Sequence, residues 1–340
     1  MPIGGAGSLL GKMGGAGGGL LPPVLSSVTP ALGDTAGGEA LVCGGSNFDN
    51  GASVFIDGNL ATNIVWLNAG SITCNAPPGT VGAKNITVQN LDLQTSTLVG
   101  GYEYWTPAQV TGIVAYGDSA KNVTLSVTIG EEDHLTDWGD ASGNGNDLTQ
   151  ATSANQPIQV LNAFGTLPSV QFTPAQWMAL GAKLIQNSGL AWMYVFKTTS
   201  TDNTSDYAGD APITVIGDSG GGINNTAGLS NGTARYMVYT GAWQTVDGVG
   251  AALNDGNPHQ VLVQHETGTA LTIRVDGALE TATTQPYNVA SNGYENIGSG
   301  YLNQDGFDGE LGAYVVVNGT LDTGDRAKLE QWAKGRFGTP

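Results

Sequence analysis

The chain has 340 residues with 29 acidic and 11 basic side chains, giving a formal net charge of −18 and a pI near 4.2. That balance excludes a phosphate-wrapping surface, which needs clustered Lys and Arg, and no run approaches the roughly 18 apolar residues of a membrane-spanning helix. Two cysteines without a CxxC pair and three histidines argue against a structural zinc site, while 53 glycines and abundant Thr, Asn, Ser and Val predict turns and strands.

Residues 1–23 read MPIGGAGSLLGKMGGAGGGLLPP, with nine glycines and no acid. The pattern is not that of a signal peptide, because the single Lys follows the first apolar pair and glycines interrupt every candidate h-region. Glycine permits close backbone approach, and Leu9, Leu10, Met13, Leu20 and Leu21 are expected to fill shallow pockets on a neighbour. Ordering such an arm costs about 1–2 kcal/mol per residue, so an extensive contact with another subunit is expected to hold it.

After Pro23, short alternating runs separated by turns predict a small β-sandwich over residues 24–105. In SVFIDGNLA, Val54 and Ile56 share a face, Asp57-Gly58 offers a type I′ turn, and Leu60 resumes on the return strand. Cys43 and Cys74 have two readings, one bridge or two buried thiols, the second favoured in a cytosol. The residues PPVLSSVTPALGDTAGGEALVCGGSNFDNGASVFIDG from Pro22, SITCNAPPGTVGAKNITVQN and the closing YEYW resemble an IPT/TIG domain, an immunoglobulin-like fold, over about residues 24–105. The resemblance implies a spacer or partner-binding module.

Residues 106–340 contain ten or more runs of period-2 alternation, including LAWMYVFKTT, HQVLVQHE, GELGAYVVV and the Asp-Gly hairpin TIRVDGALE. They predict two stacked sheets in a jelly-roll-like sandwich. In LDTGDRAKLEQWAKGRFG, Asp322 or Thr323 is the expected helix cap, Leu329, Trp332 and Ala333 share a face, and Gly338 ends the run. WGDASGNGNDLTQ from Trp138 to Gln150, PSVQF, HQVLVQ with TIRVDG, and the ending from FDGELG onward resemble the laminin-G/concanavalin A-like superfamily. That resemblance implies sugar binding, protein contact or a purely architectural sandwich. The expected fold class is therefore all-β: a Gly-rich arm, an immunoglobulin-like sandwich, and a concanavalin A-like jelly roll with a short C-terminal helix.

The same superfamily implies a test for glycosidase acids, which on this fold sit along one strand as Glu-x-Asp-x-x-Glu or Glu-x-Asp-x-Glu. Glu131, Glu132 and Asp133 begin such a pattern, but Leu135 and Thr136 occupy the place of the last acid, so a solvated acidic turn is the favoured account. GDSGGG around Ser219 lacks a matching His and Asp environment. No enzyme is expected.

Asp140, Ser142, Asn144 and Gly145 fall at calcium-loop positions 1, 3, 5 and 6, yet Ala151 stands at position 12 where a bidentate Glu belongs. The resemblance to the laminin-G/concanavalin A-like superfamily implies instead a structural turn here, with Asp140 and Ser142 bonding local backbone and Trp138 in the core. NQDGFDGE, with Asp305, Asp308 and Glu310, is a second candidate cation loop, again better read as a solvated turn. No cofactor is expected, with calcium the weak alternative.

Sugar recognition combines an aromatic platform with amide and carboxylate partners on loops. The candidates are Tyr239 and Trp243 in VYTGAWQ, and Tyr294 and Tyr301 flanking ENIGSG near Asp305; Trp243 is equally readable as core, and for the tyrosines a half-buried strand position is favoured. Trp138, Trp177, Trp192 and Trp332 are expected in the core. Arm, spacer and lectin-like head together resemble accessory virion proteins of tailed bacteriophages. The expectation is a homo-oligomeric virion surface protein tethered through residues 1–23, displaying a head that binds cell-surface glycans, without nucleic-acid partners or membrane insertion. An exported bacterial carbohydrate-binding protein and a divergent glycosidase are the alternatives.

Overall fold

The computed structural model describes residues 21–126, 133–180, 189–200, 210–217, 225–230, 232–239, 243–266, 268, 270–284, 294–298 and 306–340. Leu9, Leu10, Met13 and Leu20 lie outside them; Leu21 is described and exposed.

The first sandwich comprises β1 (Val24–Thr29), β2 (Leu32–Gly33), β3 (Ala40–Ser46), β4 (Ser53–Ile56), β5 (Asn59–Leu60), β6 (Thr62–Asn68), β7 (Ser71–Asn75), β8 (Gly82–Gln89) and β9 (Thr95–Tyr104). Strands β1-β3-β7-β6 form one sheet and β2-β9-β8-β4-β5 the other. Alternation does the sorting, since successive side chains of a strand point to opposite faces: Leu41, Cys43, Val54, Ile56, Ile72, Cys74, Ile86 and Val88 all turn inward and share one core. Asp57 at φ 52° and Gly58 at φ 81° make the tight turn that pairs Ile56 with Asn59. Both cysteines are buried thiols, diagonal across β3 and β7 because Cys43 pairs with Ile72 and Leu41 with Cys74.

The second sandwich contains β10 (Ile113–Asp118), β11 (Val123–Ser126), β12 (His134–Trp138), β13 (Leu148–Thr149), β14 (Ile158–Phe164), β15 (Leu167–Phe172), β16 (Met178–Leu180), β17 (Leu190–Lys197) and β18 (Asp210–Gly217). It continues through β19 (Asn225–Ser230), β20 (Thr233–Tyr239), β21 (Trp243–Asp247), β22 (His259–Glu266), β23 (Ala270–Val275), β24 (Ala278–Thr283), β25 (Tyr294–Ile297) and β26 (Gly309–Asn318) to the helix α1 (Thr323–Phe337).

One layer runs β26-β17-β22-β23-β24, with β10 and β15 on the far side of β26. The other runs β16-β25-β18-β19-β20-β21. The fold is a jelly-roll sandwich. Its core takes alternate residues of both layers, among them Trp138, Trp192, Tyr194, Phe196, Tyr236 and Tyr314. Trp177 departs from expectation: it is only half-buried, because it precedes β16 in a turn while Met178 and Leu180 supply the inward positions. Asp276 at φ 49° and Gly277 at φ 76° close the β23–β24 hairpin, matching the hairpin at Asp57-Gly58.

The outer face of the β26-β17-β22 layer is covered by α1. Asp322 caps the helix by accepting from the Asp325 amide, and Gly338 ends it at φ 72°. Leu329, Trp332, Ala333 and Phe337 pack against Met193, Val195, Leu262, Val315 and Val317. Leu32 and Trp105 of the first sandwich join the same cluster, so the helix is wedged between both modules. At its buried edge, Trp332 donates to Asp34 Oδ2 at 2.8 Å, and Arg336 donates to Asp118 Oδ2 at 2.6 Å while reaching Asp34 at 3.6 Å. Lys121 lies 3.3 Å from Asp34 and 3.5 Å from Asp118. The cluster thus balances two buried carboxylates against two cations, the arrangement that burial of charge requires.

Candidate functional site

A polar cleft of about 260 Å³ opens on the outer face of the second sandwich, at the end of the strands not covered by α1. Its floor is a register effect. Gln171 of β15 pairs with Glu310 of β26, and Glu310 pairs on its other side with Lys197 of β17. Three polar side chains from sequence-distant strands therefore stand in one row. Val170, Phe196 and Leu311, beside them on their strands, belong to the inner core, so the polar residues take the outward positions.

Within the row, Lys197 Nζ lies 3.2 Å from Glu310 Oε1, and Ser169 donates its hydroxyl to Glu310 Oε2 at 2.6 Å. The Lys197 ammonium also sits over the Phe164 ring, 5.6 Å from its centre, an electrostatically favourable placement. Both charged side chains are about one-fifth exposed, so they are held in place while still open to a ligand.

The cleft wall is built from Thr198, Thr199, Ser200, Gly256 and Asp308. Thr198 is buried and donates its hydroxyl to the Asp308 carbonyl at 2.6 Å, while the Ser200 amide donates back to Thr198 Oγ1 at 2.9 Å. Gly256 donates its amide to the Thr198 carbonyl at 3.0 Å, tying the loop before β22 to the wall. Gly309 is required by close approach: a Cβ there would stand 2.5 Å from the Phe307 ring and 2.9 Å from the Lys197 carbonyl.

Behind this loop, His259 is bracketed by two carboxylates. Its Nδ1 lies 2.8 Å from Asp276 Oδ2 and its Nε2 3.0 Å from Asp255 Oδ1. The hydrogen bond to Asp276 raises the imidazole above its ordinary value, against the opposing effect of burial. Asp255, also held by Asn257, is lowered to about 2. The imidazolium state, with both ring nitrogens donating, joins the loop beside the cleft to the β23–β24 turn.

The aromatic platform expected from sequence falls elsewhere. Tyr239 and Trp243 pair with each other across the β20–β21 hairpin, on the other layer; their side chains, and all of Tyr301 and Asp305, lie outside the described residues. Asp308 and Glu310, read from sequence as a solvated turn with a cation loop as the alternative, belong to the wall and the ion-paired row. Among the described residues no group of three or more His, Cys, Asp or Glu side chains is placed to hold a metal ion.

The loop after Trp138 is a backbone organiser. Asp140 accepts from the amides of Tyr116, Ser142 and Asn146 and from the Ser142 hydroxyl, at 2.7–3.1 Å. Of the candidate acid pair, Asp133 is exposed and Glu131 lies outside the described residues. Sequence reasoning missed Gln171, Lys197 and Thr198. The one local signal was a lysine ending the seven-residue buried run of β17.

No curated protein matches the sequence. Among solved structures, the chain is similar to the binding domain of Paraclostridial Mosquitocidal Protein 1, at 10% identity over 66% of this chain and 52% of that one, with a TM-score of 0.45. It is similar to domain 4 of AbnA, a GH43 extracellular arabinanase from Geobacillus stearothermophilus solved with arabinotriose, at 12% identity over 65% and 98%, TM-score 0.46. The mouse laminin alpha1 chain, domains LG4-5, follows at 17% identity over 45% and 42%, TM-score 0.34. The chain spans about half the length of the first of these. Residues 23–104 match the family model of the IPT/TIG domain, and this part of the chain is an IPT/TIG domain.

Proposed function

We propose that the chain is a non-enzymatic display protein whose second sandwich binds a glycan in the Gln171–Glu310–Lys197 cleft. The carrying observation is that row: an amide, a carboxylate and an ammonium side by side, flanked by Thr and Ser hydroxyls. Alternating donors and acceptors suit the hydroxyls of a sugar. At about 260 Å³ the cleft is smaller than typical drug-sized sites of roughly 300–1,000 Å³, which favours a single terminal sugar over a long chain. The IPT/TIG domain acts as a spacer, set at a fixed angle to the head by α1 and the Asp34–Arg336–Asp118 cluster.

The proposed place of display is the surface of a tailed-phage virion, with residues 1–23 as the tether. The support is compositional: an acid-free, Leu-dotted, glycine-rich arm on a chain of net charge −18. An exported bacterial surface protein would use the same cleft. The glycan proposal is tested by screening the full chain and Lys197→Met against immobilised glycans. Selective binding by the wild type that the variant loses supports it, and no binding by either overturns it. The tether proposal is tested by deleting residues 1–23: loss of particle incorporation with both sandwiches folded supports it, and full incorporation overturns it.

A further inference from the structure

Gly256 is the point at which the loop between β21 and β22 reaches the cleft. The loop is fastened there by two bonds: the Gly256 amide donates to the Thr198 carbonyl at 3.0 Å, and Asn254 Nδ2 donates to the Ser200 carbonyl at 3.2 Å. Gly256 has φ 83°, and a Cβ there would lie 3.1 Å from Thr199 Cγ2, so the loop is seated closely on the wall. One residue back, the Asp255 carboxylate accepts from the Asn257 amide and from the Asn257 side chain, both at 2.8 Å. Through His259 Nε2, 3.0 Å from Asp255 Oδ1, that turn is joined to the body of the sandwich.

We propose that His259 is the positioning residue of the cleft wall: as an imidazolium it holds the Asp255–Gly256 turn against Thr198, and on losing its proton it releases that turn. The assignment rests on reading the cleft as the binding site. Proton count carries it. An imidazolium donates from both ring nitrogens, whereas a neutral imidazole has one N–H for two carboxylates. Asp276 keeps that proton, because it is nearer, at 2.8 Å against 3.0 Å, and less exposed, at 18% against 47%, where attraction is less screened. The Nε2 lone pair then faces Asp255 Oδ1, acceptor against acceptor, and the half-exposed carboxylate turns to water. Asp255 carries the Asn257 turn with it, which draws Gly256 away from Thr198. The cleft feels this directly, since Gly256 and Thr198 both line it and the Thr198 hydroxyl is bonded to the Asp308 carbonyl at 2.6 Å.

Among the described residues, the charged groups that act on the ring are Asp255 from its own loop and Asp276 from the β23–β24 turn. From β17 it meets the Phe196 ring, with 6.3 Å between centres. Helix α1 lies on the other face of β22, where Gln260 donates to the Glu330 carbonyl, and the Glu330 carboxylate is paired with Arg274. The hydrogen bond to Asp276, followed by that to Asp255, outweighs burial and raises the imidazole above 6.5, so release of the wall lies on the alkaline side of that value.

The test is NMR of the full chain without ligand. The His259 ring signals give its titration midpoint, and solvent exchange of the Gly256 amide, corrected for the intrinsic effect of pH, reports the wall. Protection of Gly256 is expected to fall about tenfold across the ring midpoint, the worth of one charge-assisted hydrogen bond. Asp276→Asn removes the strongest influence raising the ring, and asparagine suits the φ of 49° at that position. Ring and wall transitions should then move together to lower pH, which a merely structural histidine would not produce. In Asp255→Asn, whose amide meets either form of the ring, the ring should still titrate while Gly256 stays protected throughout. Gly256 protection that ignores the ring midpoint in the wild type, or a wall transition that stays in place in Asp276→Asn, overturns the proposal. With no glycan present, that failure leaves the function of the cleft standing, whereas a glycan screen without binding removes the function and leaves the titration of the wall intact.

Discussion

The indole N–H of Trp332 donates to Asp34 Oδ2 at 2.8 Å across 298 positions of sequence, joining the C-terminal helix to the first sandwich inside a buried ionic cluster. The relationship makes the helix a shared element of both modules. Asp34→Asn keeps the shape and removes the charge that faces Arg336 and Lys121, and loss of one partner from a buried pair costs about 3 kcal/mol. Amide hydrogen exchange of α1 should accelerate accordingly, while the β3–β7 amides stay protected. Unchanged exchange in α1 would show that the helix is held without this cluster.

Acid should weaken the same junction. Burial would raise the Asp34 carboxyl, but Arg336, Lys121 and hydrogen bonds outweigh it, and the net shift is downward from 3.8. A depressed folded value means that the stabilisation is complete above the unfolded value and disappears as pH falls through the folded one. Titration of junction-sensitive Trp332 fluorescence should therefore show the wild-type junction opening only below pH 3.8, with that acid transition absent from Asp34→Asn. A wild-type transition above that value would contradict the assignment.

His259 has the opposite sign. Its folded value is raised above 6.5, so its contribution is complete below that pH and is lost as pH rises through the folded value. Urea midpoints of the wild type should fall from neutral pH into the mild alkaline range. In His259→Gln, which keeps a polar amide but does not titrate, this part of the slope should vanish. Parallel pH profiles for the two proteins would remove His259 from the account.

Gly309 sits where the floor and wall of the cleft meet, with no room for a Cβ beside Phe307 and the Lys197 carbonyl. Gly309→Ala is expected to cost about 1–3 kcal/mol through overpacking and to reduce ligand binding by displacing the Lys197 backbone. A thermal melt and a glycan titration of the variant check both. An unshifted melt would mean that the wall gives way without resistance.

The buried thiols offer a check on the first sandwich. Cys43 is raised by its hydrogen bond with Cys74 and by burial, which leaves it protonated and unreactive at neutral pH. A thiol-specific chromogenic reagent should leave the native protein unmodified and react with both cysteines after denaturation. Rapid modification of the native chain, or no modification of the unfolded one, would contradict two buried free thiols.

What the sequence made legible was local. Asp57-Gly58 and Asp276-Gly277 announce their hairpins because positive φ at both residues narrows the choice of amino acid. Asp322 and Gly338 mark the helix ends for equally local reasons. The cleft was hidden because Gln171, Lys197 and Glu310 become neighbours only through the pairing of three strands, and nothing within ten residues of any one of them indicates the others. The junction was hidden for the same reason: Asp34, Asp118 and Arg336 look like ordinary surface charges until the helix folds back. Trp177 was misread because its large apolar ring was assigned to the core, whereas the inward positions Met178 and Leu180 leave the preceding residue on the opposite face.

The claim on which the functional account turns is that a sugar occupies the Gln171–Glu310–Lys197 row. Its most direct measurement is amide chemical-shift mapping of the full chain during titration with the best-binding glycan. Shifts centred on Gln171, Lys197 to Ser200, Gly256 and Asp308 to Glu310 are predicted. Shifts centred on the β20–β21 hairpin with the cleft amides unmoved would contradict it.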